Sequence, residues 1–450
     1  MRVIADLHIH SRFSRACSKE LTLPNIAAWC ARKGIEVVAT GDFTHPKWRQ
    51  EIGEQLGENA PGIFELREPT PSRSPSFGRG RNDGTKFVLG TELSCIYKKD
   101  GKVRRVHLLV LAPSLAAVDR IIAALTARGC NLRADGRPIL GVTSEDLLKI
   151  CLEADPRTLL IPAHAWTPWF AVFGSQSGFD SLEECFGDLA PHIPAIETGL
   201  SSDPEMNWRI SGLDRVALVS CSDAHSLPNL GREATVLELE TLTFDAIASA
   251  LRASAPAVYD RTAPNRIIET IEFFPEEGKY YVDGHRACKV RCTPSETKRY
   301  RGICPQCAKP LTIGVLARVD KLSDRNEALV PPQVPAFRRI VPLEAIIAEA
   351  FGVVSVTKRV RAEYERMTSV IGSEFFLLLD ASLDVIARTT TPEIVEAIRR
   401  VRAGDLAIDP GYDGEYGTVR IFTPEHPRPV AAQHALFGTR ERNNLVSRIR

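Results

Sequence analysis

Three residues near the start of the chain, Asp6, His8 and His10, stand at alternate positions in the stretch VIADLHIHSRFSRACSKE. Alternate residues of a β-strand share one face. Leu7 and Ile9 between them are apolar, so the pattern predicts a buried strand with a polar face. A carboxylate and two imidazoles buried together need hydrogen bonds or a cation. Other strand-like runs end in the same residue types. VVATGDFTH brings Asp42, with His45 nearby, and FVLGTE ends in Glu92. RRVHLLVLA carries His107, LLIPAHAW ends in His164, and ALVSCSDAH ends in Asp223 and His225. One such strand says little, but six delivering His, Asp or Glu to one end predict a metal centre. Imidazoles and carboxylates without a thiolate suit zinc, manganese or iron, and Mg2+ is also compatible. The ligands are too many for one ion, so two or three Zn2+ or similar cations are expected, bridged by Glu92 or Asp223. Close-set cations activate a water and stabilise the leaving oxygen of a displacement at phosphorus. Asp223, His225 and Glu92 are the expected catalytic residues.

A second cluster lies in HRACKVRCTPSETKRYRGICPQCAKPL, which holds Cys288, Cys292, Cys304 and Cys307. Cys-x2-Cys followed by a turn has the shape of a zinc knuckle. The first half is less regular, because His285 precedes Cys288 by three residues; either Cys292 or His285 completes the set. A closed four-ligand site is structural rather than catalytic. Arg286, Lys289, Arg291, Lys298, Arg299, Arg301 and Lys309 surround these ligands, with Tyr300 among them. Their placement predicts contact with nucleic-acid phosphates. Residues 279–330 carry 11 Lys/Arg against 5 Asp/Glu, within a chain of net charge +1. The remaining seven cysteines are scattered singly and read as reduced thiols.

The elements that must position these groups are legible in outline. Up to residue 265 short apolar runs alternate with amphipathic stretches such as LTLPNIAAWCARKG and SLAAVDRIIAALTARG. That alternation predicts a parallel sheet closed into a barrel. The Pro-, Ser- and Gly-rich stretch at 60–84 reads as a surface loop before a strand at 86–91. Residues 266–330 show no helical period and form the expected zinc-binding module. After VPPQVPAF, taken as a linker, residues 331–450 read as a mainly helical domain, ending in a hairpin at DPGYDGEYGTVRIF. A chain of 450 residues suits two or three domains. No stretch approaches a membrane span, and the N-terminus lacks a signal-peptide pattern, so no membrane association and a cytoplasmic location are expected.

The motifs DLHIHSRFS, TGD, GTE, PAH and SDAH, with an isolated strand histidine, resemble those of the PHP (polymerase and histidinol phosphatase) superfamily. The resemblance implies a distorted (β/α)7 barrel whose metal cluster cuts phosphoesters. Its ligands would be His8, His10, Asp42, Glu92, His107, His164, Asp223 and His225. Many members read Thr-Asp-His at the second motif, where this chain has Thr40-Gly41-Asp42-Phe43. The missing imidazole leaves a third metal position open, with His45 as a substitute. Asp6 is expected to orient a ligand histidine, and Ser11, Arg12 and Ser14 to hold phosphate.

With the zinc segment, VTKRVRAEYERM and PGYDGEYGTVRIF added, the whole chain resembles the endonuclease Q family. That resemblance implies a nuclease nicking double- or single-stranded DNA on the 5′ side of deaminated bases (uracil, hypoxanthine, xanthine) and of abasic sites. Trp166, Trp169 and Phe170 are expected to flank an extruded base. A small-molecule phosphatase would leave the zinc segment and the last 120 residues without a role. A non-catalytic nucleic-acid-binding protein would leave the ligand set without one.

Overall fold

The protein is described from a computed structural model covering residues 1–67, 84–325, 331 and 333–429. Most of the stretch expected to form a surface loop at 60–84 lies outside the described residues. Its first part is not loop: Leu56–Ala60 and Ile63–Leu66 pair as an antiparallel hairpin.

In chain order the strands are β1 (Arg2–Asp6), β2 (Val37–Ala39), β3 (Leu56–Ala60), β4 (Ile63–Leu66), β5 (Lys86–Lys99), β6 (Lys102–Ala112), β7 (Ile139–Leu140) and β8 (Leu159–Pro162). They continue as β9 (Ala195–Glu197), β10 (Ala217–Val219), β11 (Ala234–Glu238), β12 (Arg266–Glu272), β13 (Asp283–His285), β14 (Val290–Cys292), β15 (Ala336–Arg339), β16 (Ala407–Asp409) and β17 (Thr418–Arg420). The central sheet runs β15-β12-β11-β1-β2-β5-β4-β3, with β6 pairing β5 and β8. β9 and β10 pair in parallel, and Ile9 bridges to Ala224 beyond β10.

The sheet is mixed, not uniformly parallel as the alternation predicts. β1, β2 and β5 are parallel, but β6 is antiparallel to both β5 and β8, and β11 is antiparallel to β1. The reason is local. Between β5 and β6 stand Asp100 and Gly101 with φ of 53° and 74°, the backbone of the tight turn that Asp-Gly favours. A hairpin replaces the crossover helix. Its register sets Ser94 opposite His107 and Glu92 opposite Leu109. Glu92 and His107 therefore share a face, which a one-residue slip would reverse.

Both faces of the strands are covered. Val3, Ala5, Leu7, Val88, Leu109 and Val219 belong to one apolar layer, and Ile4, Val38, Phe87, Leu89 and Val110 to the other. This explains the near-continuous apolar runs. The helix Leu23–Lys33 illustrates how the sequence closes an element. The Thr22 hydroxyl accepts from Asn25 N–H, Pro24 sits in the first turn, and Gly34 at φ 89° ends it.

Two expected boundaries shift. Residues 266–272, expected to open the zinc-binding module, form β12 and pair with β11. The last two residues of the expected linker, Ala336 and Phe337, begin β15, which extends the same sheet alongside β12; Val330 and Pro332 of the linker lie outside the described residues. The hairpin β16–β17 returns to the zinc-binding segment: Val282 bridges to Tyr412, Asp413 accepts from Arg286 N–H, and Arg291 pairs with Asp409. The intervening helices, among them Leu343–Phe351, Lys358–Val370 and Pro392–Ala403, dock on helix Leu23–Lys33 through a buried Lys33–Glu374 ion pair of 2.7 Å. No helix among the described residues is long and apolar enough to cross a membrane.

Candidate metal centres

The strands converge their polar ends at one place. His8 and His10 follow β1, Glu92 lies within β5, His107 within β6, His164 follows β8, and Asp223 follows β10. Two groups of ligand atoms result, each with members within 4.8 Å of one another: His8, His10, Glu92 and Asp223, and Glu92, His107 and His164. Glu92 belongs to both, with its oxygens divided between them. Oε1 lies 2.8 Å from His107 Nδ1 and 3.1 Å from His164 Nε2, whereas Oε2 lies 3.2 Å from His10 Nε2 and 3.6 Å from His8 Nε2.

The donor set fits divalent cations. His8 Nε2 is fully buried without a hydrogen-bond partner, yet faces carboxylate oxygens of Glu92 and Asp223 at 3.6 and 3.7 Å. A buried polar atom left unpaired is costly; a cation between these atoms would satisfy all three. Burial alone would push His8 and His10 down, but Glu197 and Glu92 beside His8, and Asp42, Asp223 and Glu92 beside His10, hold both well above the ordinary value. Burial pushes His107 down to about 4, so its imidazole is in the neutral form that ligates metals. Cations and protons thus compete for His8 and His10, and loading the centre expels protons.

Backbone strain helps to aim these groups. Asp42, His164 and Asp223 have φ of 49°, 30° and 46°, a region non-glycine residues rarely occupy and that clusters at functional sites. Gly199 packs against His164 so closely that an added Cβ would lie 2.6 Å from the histidine Cβ.

Several expected ligands are placed elsewhere. Asp42 lies outside both groups because its oxygens are in use. Oδ2 accepts from Ser11 N–H, Ser11 Oγ and Ser14 Oγ at 2.7, 2.7 and 2.8 Å, and Oδ1 is 3.1 Å from His10 Nδ1. Through Oδ1 it holds the His10 ring. The same bonds engage Ser11 and Ser14, and Arg12 pairs with Glu51 at 2.6 Å. His225 is also outside the groups: its Nδ1 lies 2.8 Å from the Asp223 carbonyl, and its ring packs on His10 at 4.6 Å. His45 stacks on Phe13 at 4.5 Å, again outside them. Asp6 orients no histidine. Its oxygens accept from Ser222 and Gly231 N–H at 3.0 and 3.1 Å, tying β1 to the segment that presents Asp223.

Two residues at the centre are not among the sequence-based candidates. Glu197, the last residue of β9, places both oxygens 3.0 Å from His8 Nδ1 and accepts from His164 N–H at 2.6 Å. IPAIETG follows the same strand-end rule as the other motifs, and that signal could have found it. Arg137 donates from Nη1 to Glu92 Oε2 at 2.9 Å and has no motif. Outer partners of metal-ligating histidines set ligand orientation and basicity. Glu197→Gln is therefore expected to weaken divalent-cation affinity about 10- to 100-fold, measured by competition with a chelating dye, with the fold retained by circular dichroism.

The second cluster gathers His285, Cys288, Cys304 and Cys307. His285 Nδ1 lies 3.5 Å from Cys307 Sγ. Cys292, expected first as the fourth ligand, is not among them. The β13–β14 register sets Cys292 opposite Asp283 and His285 opposite Val290, nearer the turn that carries Cys288. Cys292 is buried in a small cluster with Cys304 and Leu311. Arg291 pairs with Asp409 and Lys298 with Asp320, while Arg286, Lys289, Arg299 and Arg301 are exposed. Trp166 is fully buried and donates to Asn207 Oδ1 at 2.8 Å, so it packs the interior and cannot flank a base. Phe170 lies on His107 at 4.7 Å, and half-exposed Trp169 meets Tyr280 at 5.4 Å.

A family model described as the MJ0043 C-terminal domain matches residues 342–405. The uncharacterized protein MJ0043 of Methanocaldococcus jannaschii is 30% identical over 269 residues, 58% of this chain and 32% of that protein. The uncharacterized protein YqxK of Bacillus subtilis is 30% identical over 428 residues, covering 93% of this chain and 99% of that protein. Fold and site define a mixed α/β protein with a paired imidazole–carboxylate centre suited to divalent cations. Two solved structures match it along nearly its whole length: the lesion-specific endonuclease PfuEndoQ from Pyrococcus furiosus (TM-score 0.80, 31% identity, 94% of this chain and 96% of that one), and an endonuclease Q complex with a 27-mer duplex substrate bearing an abasic lesion at the active site (TM-score 0.79, 31% identity, 94% and 98%). The chain belongs to the endonuclease Q family.

Proposed function

We propose that the protein is a metal-dependent DNA-repair endonuclease that hydrolyses the phosphodiester 5′ of deaminated bases and abasic sites. The observation that carries this reading is the buried Glu92 carboxylate shared by two ligand groups. The two matching structures, one of a lesion-specific endonuclease and one of a complex with an abasic duplex, support the substrate class.

In this reading His8, His10, Glu92 and Asp223 hold one cation and Glu92, His107 and His164 the other. When bound, the pair supplies Lewis acidity to the scissile phosphate and lowers the pKa of an attacking water. The chain's own contribution is positioning. Glu197 and Asp42 fix the His8 and His10 rings, and Asp6 fixes the segment carrying Asp223. The second cluster holds a structural zinc, and the exposed Arg286, Lys289, Arg299 and Arg301 around it contact duplex phosphates.

The test is incubation with end-labelled duplexes carrying one uracil, hypoxanthine, xanthine or abasic site, with the product ends mapped. Equal nicking of undamaged and damaged DNA, or turnover only of small phosphomonoesters, would refute the proposal. The basic surface has its own test. Log affinity for duplex is expected to fall linearly with log salt concentration. Replacing Lys289, Arg299 and Arg301 by Ala should make that slope shallower by about one unit for each phosphate that is no longer neutralised. Fluorescence anisotropy across a salt series reads the slope; an unchanged slope would assign these residues to solvent.

A further inference from the structure

Arg137 lies in a segment without motifs, between the helix Leu115–Ala127 and β7, yet its guanidinium reaches the centre. The segment is clamped on both sides. Asp135 Oδ1 accepts from Arg137 N–H and Arg15 N–H, both at 3.1 Å. Gly136 N–H donates to the Phe13 carbonyl at 3.1 Å, and the Pro138 carbonyl accepts from Ser94 N–H at 3.1 Å. β7 then pairs with Ser94 and Cys95 of β5, the strand that carries Glu92. Gly136 permits the approach: a Cβ there would lie 2.3 Å from Asp42 Oδ2 and 2.4 Å from Ser14 Oγ. The chain thus sets Arg137 against the support of His10 on one side and the strand of Glu92 on the other.

The guanidinium is only partly used. Among the described residues, its only side-chain hydrogen bond runs from Nη1 to Glu92 Oε2, and the side chain is 27% exposed. A guanidinium has five N–H donors in a planar fork that matches the oxygens of a phosphate. Neutralising Glu92 does not explain its presence, because cations held by Glu92 would do that and would repel Arg137. A fixed positive group kept beside cations is stable when an anion completes the set.

We propose that Arg137 binds a non-bridging oxygen of the scissile phosphate and strengthens that contact as charge accumulates there in the transition state. This rests on the phosphodiester-hydrolase reading and adds a residue that its metal ligands do not include. Arginine clamps on transferring phosphoryl groups act in this way.

The experiment compares wild type with Arg137→Lys and Arg137→Ala, each loaded with the same cations. Four quantities are read: cleavage of an abasic duplex, hydrolysis of bis(4-nitrophenyl) phosphate, metal content, and calorimetric binding of inorganic phosphate. Arg137→Ala is expected to lower kcat on both substrates by about 10²- to 10³-fold. It should also weaken phosphate binding at least about tenfold, one hydrogen-bonded charge contact being worth that much. Metal content should stay at the wild-type value. Arg137→Lys, which keeps charge but not the fork, should recover only part of the rate. Unchanged kcat and phosphate binding would overturn the proposal. So would loss of cations in proportion to rate, since Arg137 would then only support Glu92. If wild type nicks no lesion duplex, the repair reading fails by itself, and the role of Arg137 is decided on bis(4-nitrophenyl) phosphate and inorganic phosphate.

Discussion

Glu92→Gln is expected to lower DNA cleavage by about 10⁴-fold or more, the scale on which removing one member disables a whole catalytic unit. Glu92 is the only residue common to both ligand groups found among the described residues. Each of its oxygens serves one group: Oε1 faces His107 and His164, and Oε2 faces His8, His10 and Arg137. Glutamine preserves length and volume but turns one oxygen into an NH2 donor. Whichever way the amide lies, one group loses an acceptor and gains a donor aimed at a cation. Burial would raise the Glu92 carboxyl, yet His107, Arg137 and His8 hold it well below the ordinary range, so the site is built around its charge. Elemental analysis should show both cations reduced, whereas Asp223→Asn, which touches only the His8–His10 group, should deplete one. Retention of both cations with wild-type nicking in Glu92→Gln would show that chemistry occurs elsewhere. A thermal melt separates loss of chemistry from loss of fold.

The site is more legible in the sequence than the sheet that carries it. A metal centre imposes residue types, so His8, His10, Glu92, His107, His164 and Asp223 stand out at strand ends wherever the strands go. Strand direction imposes no such mark. The apolar runs of β5 and β6 read equally well as parallel or antiparallel, and only the Asp100-Gly101 pair distinguishes them. That pair is short, and the helical stretches on either side of it outweigh it. Asp42 shows the converse limit. A carboxylate that binds a cation and one that orients a histidine are the same residue in the same strand-end position. Only the hydrogen bonds from Ser11 and Ser14 separate the two roles. Glu197 obeys the rule that marks the others, near the end of IPAIETG. Arg137 has no sequence signal: its role comes from a loop clamped between β5 and the Asp42 cluster. Likewise, spacing cannot choose between Cys292 and His285, since the choice depends on which end of the β13–β14 hairpin approaches Cys304 and Cys307.

That last choice sets up the largest expected effect on stability. His285→Ala and Cys304→Ser are each expected to lose the structural metal, at one ion per chain, while Cys292→Ser keeps it. The buried apolar cluster of the segment comprises Cys292, Cys304 and Leu311. Burying one large apolar side chain contributes about 1.5–3 kcal/mol, far too little to order the residues from 286 to 309 at roughly 1 kcal/mol or more each. A structural zinc in a small finger contributes on the order of 10 kcal/mol, so a zinc held as proposed by His285, Cys288, Cys304 and Cys307 would decide whether this segment folds. The central sheet has its own apolar layers and does not depend on it. Loss of the ion should therefore open residues 286–309 locally, giving rapid proteolysis there and a separate low-temperature transition, with the main transition retained. Hydrolysis of bis(4-nitrophenyl) phosphate should persist, since Glu92 and its partners lie outside the opened segment, while duplex affinity falls with the displaced Arg286, Lys289, Arg299 and Arg301. Elemental analysis and limited proteolysis of the three variants decide the matter. Metal loss in Cys292→Ser with retention in His285→Ala would reverse the ligand assignment, and an undiminished metal count in all three would mean that the segment is held together without one.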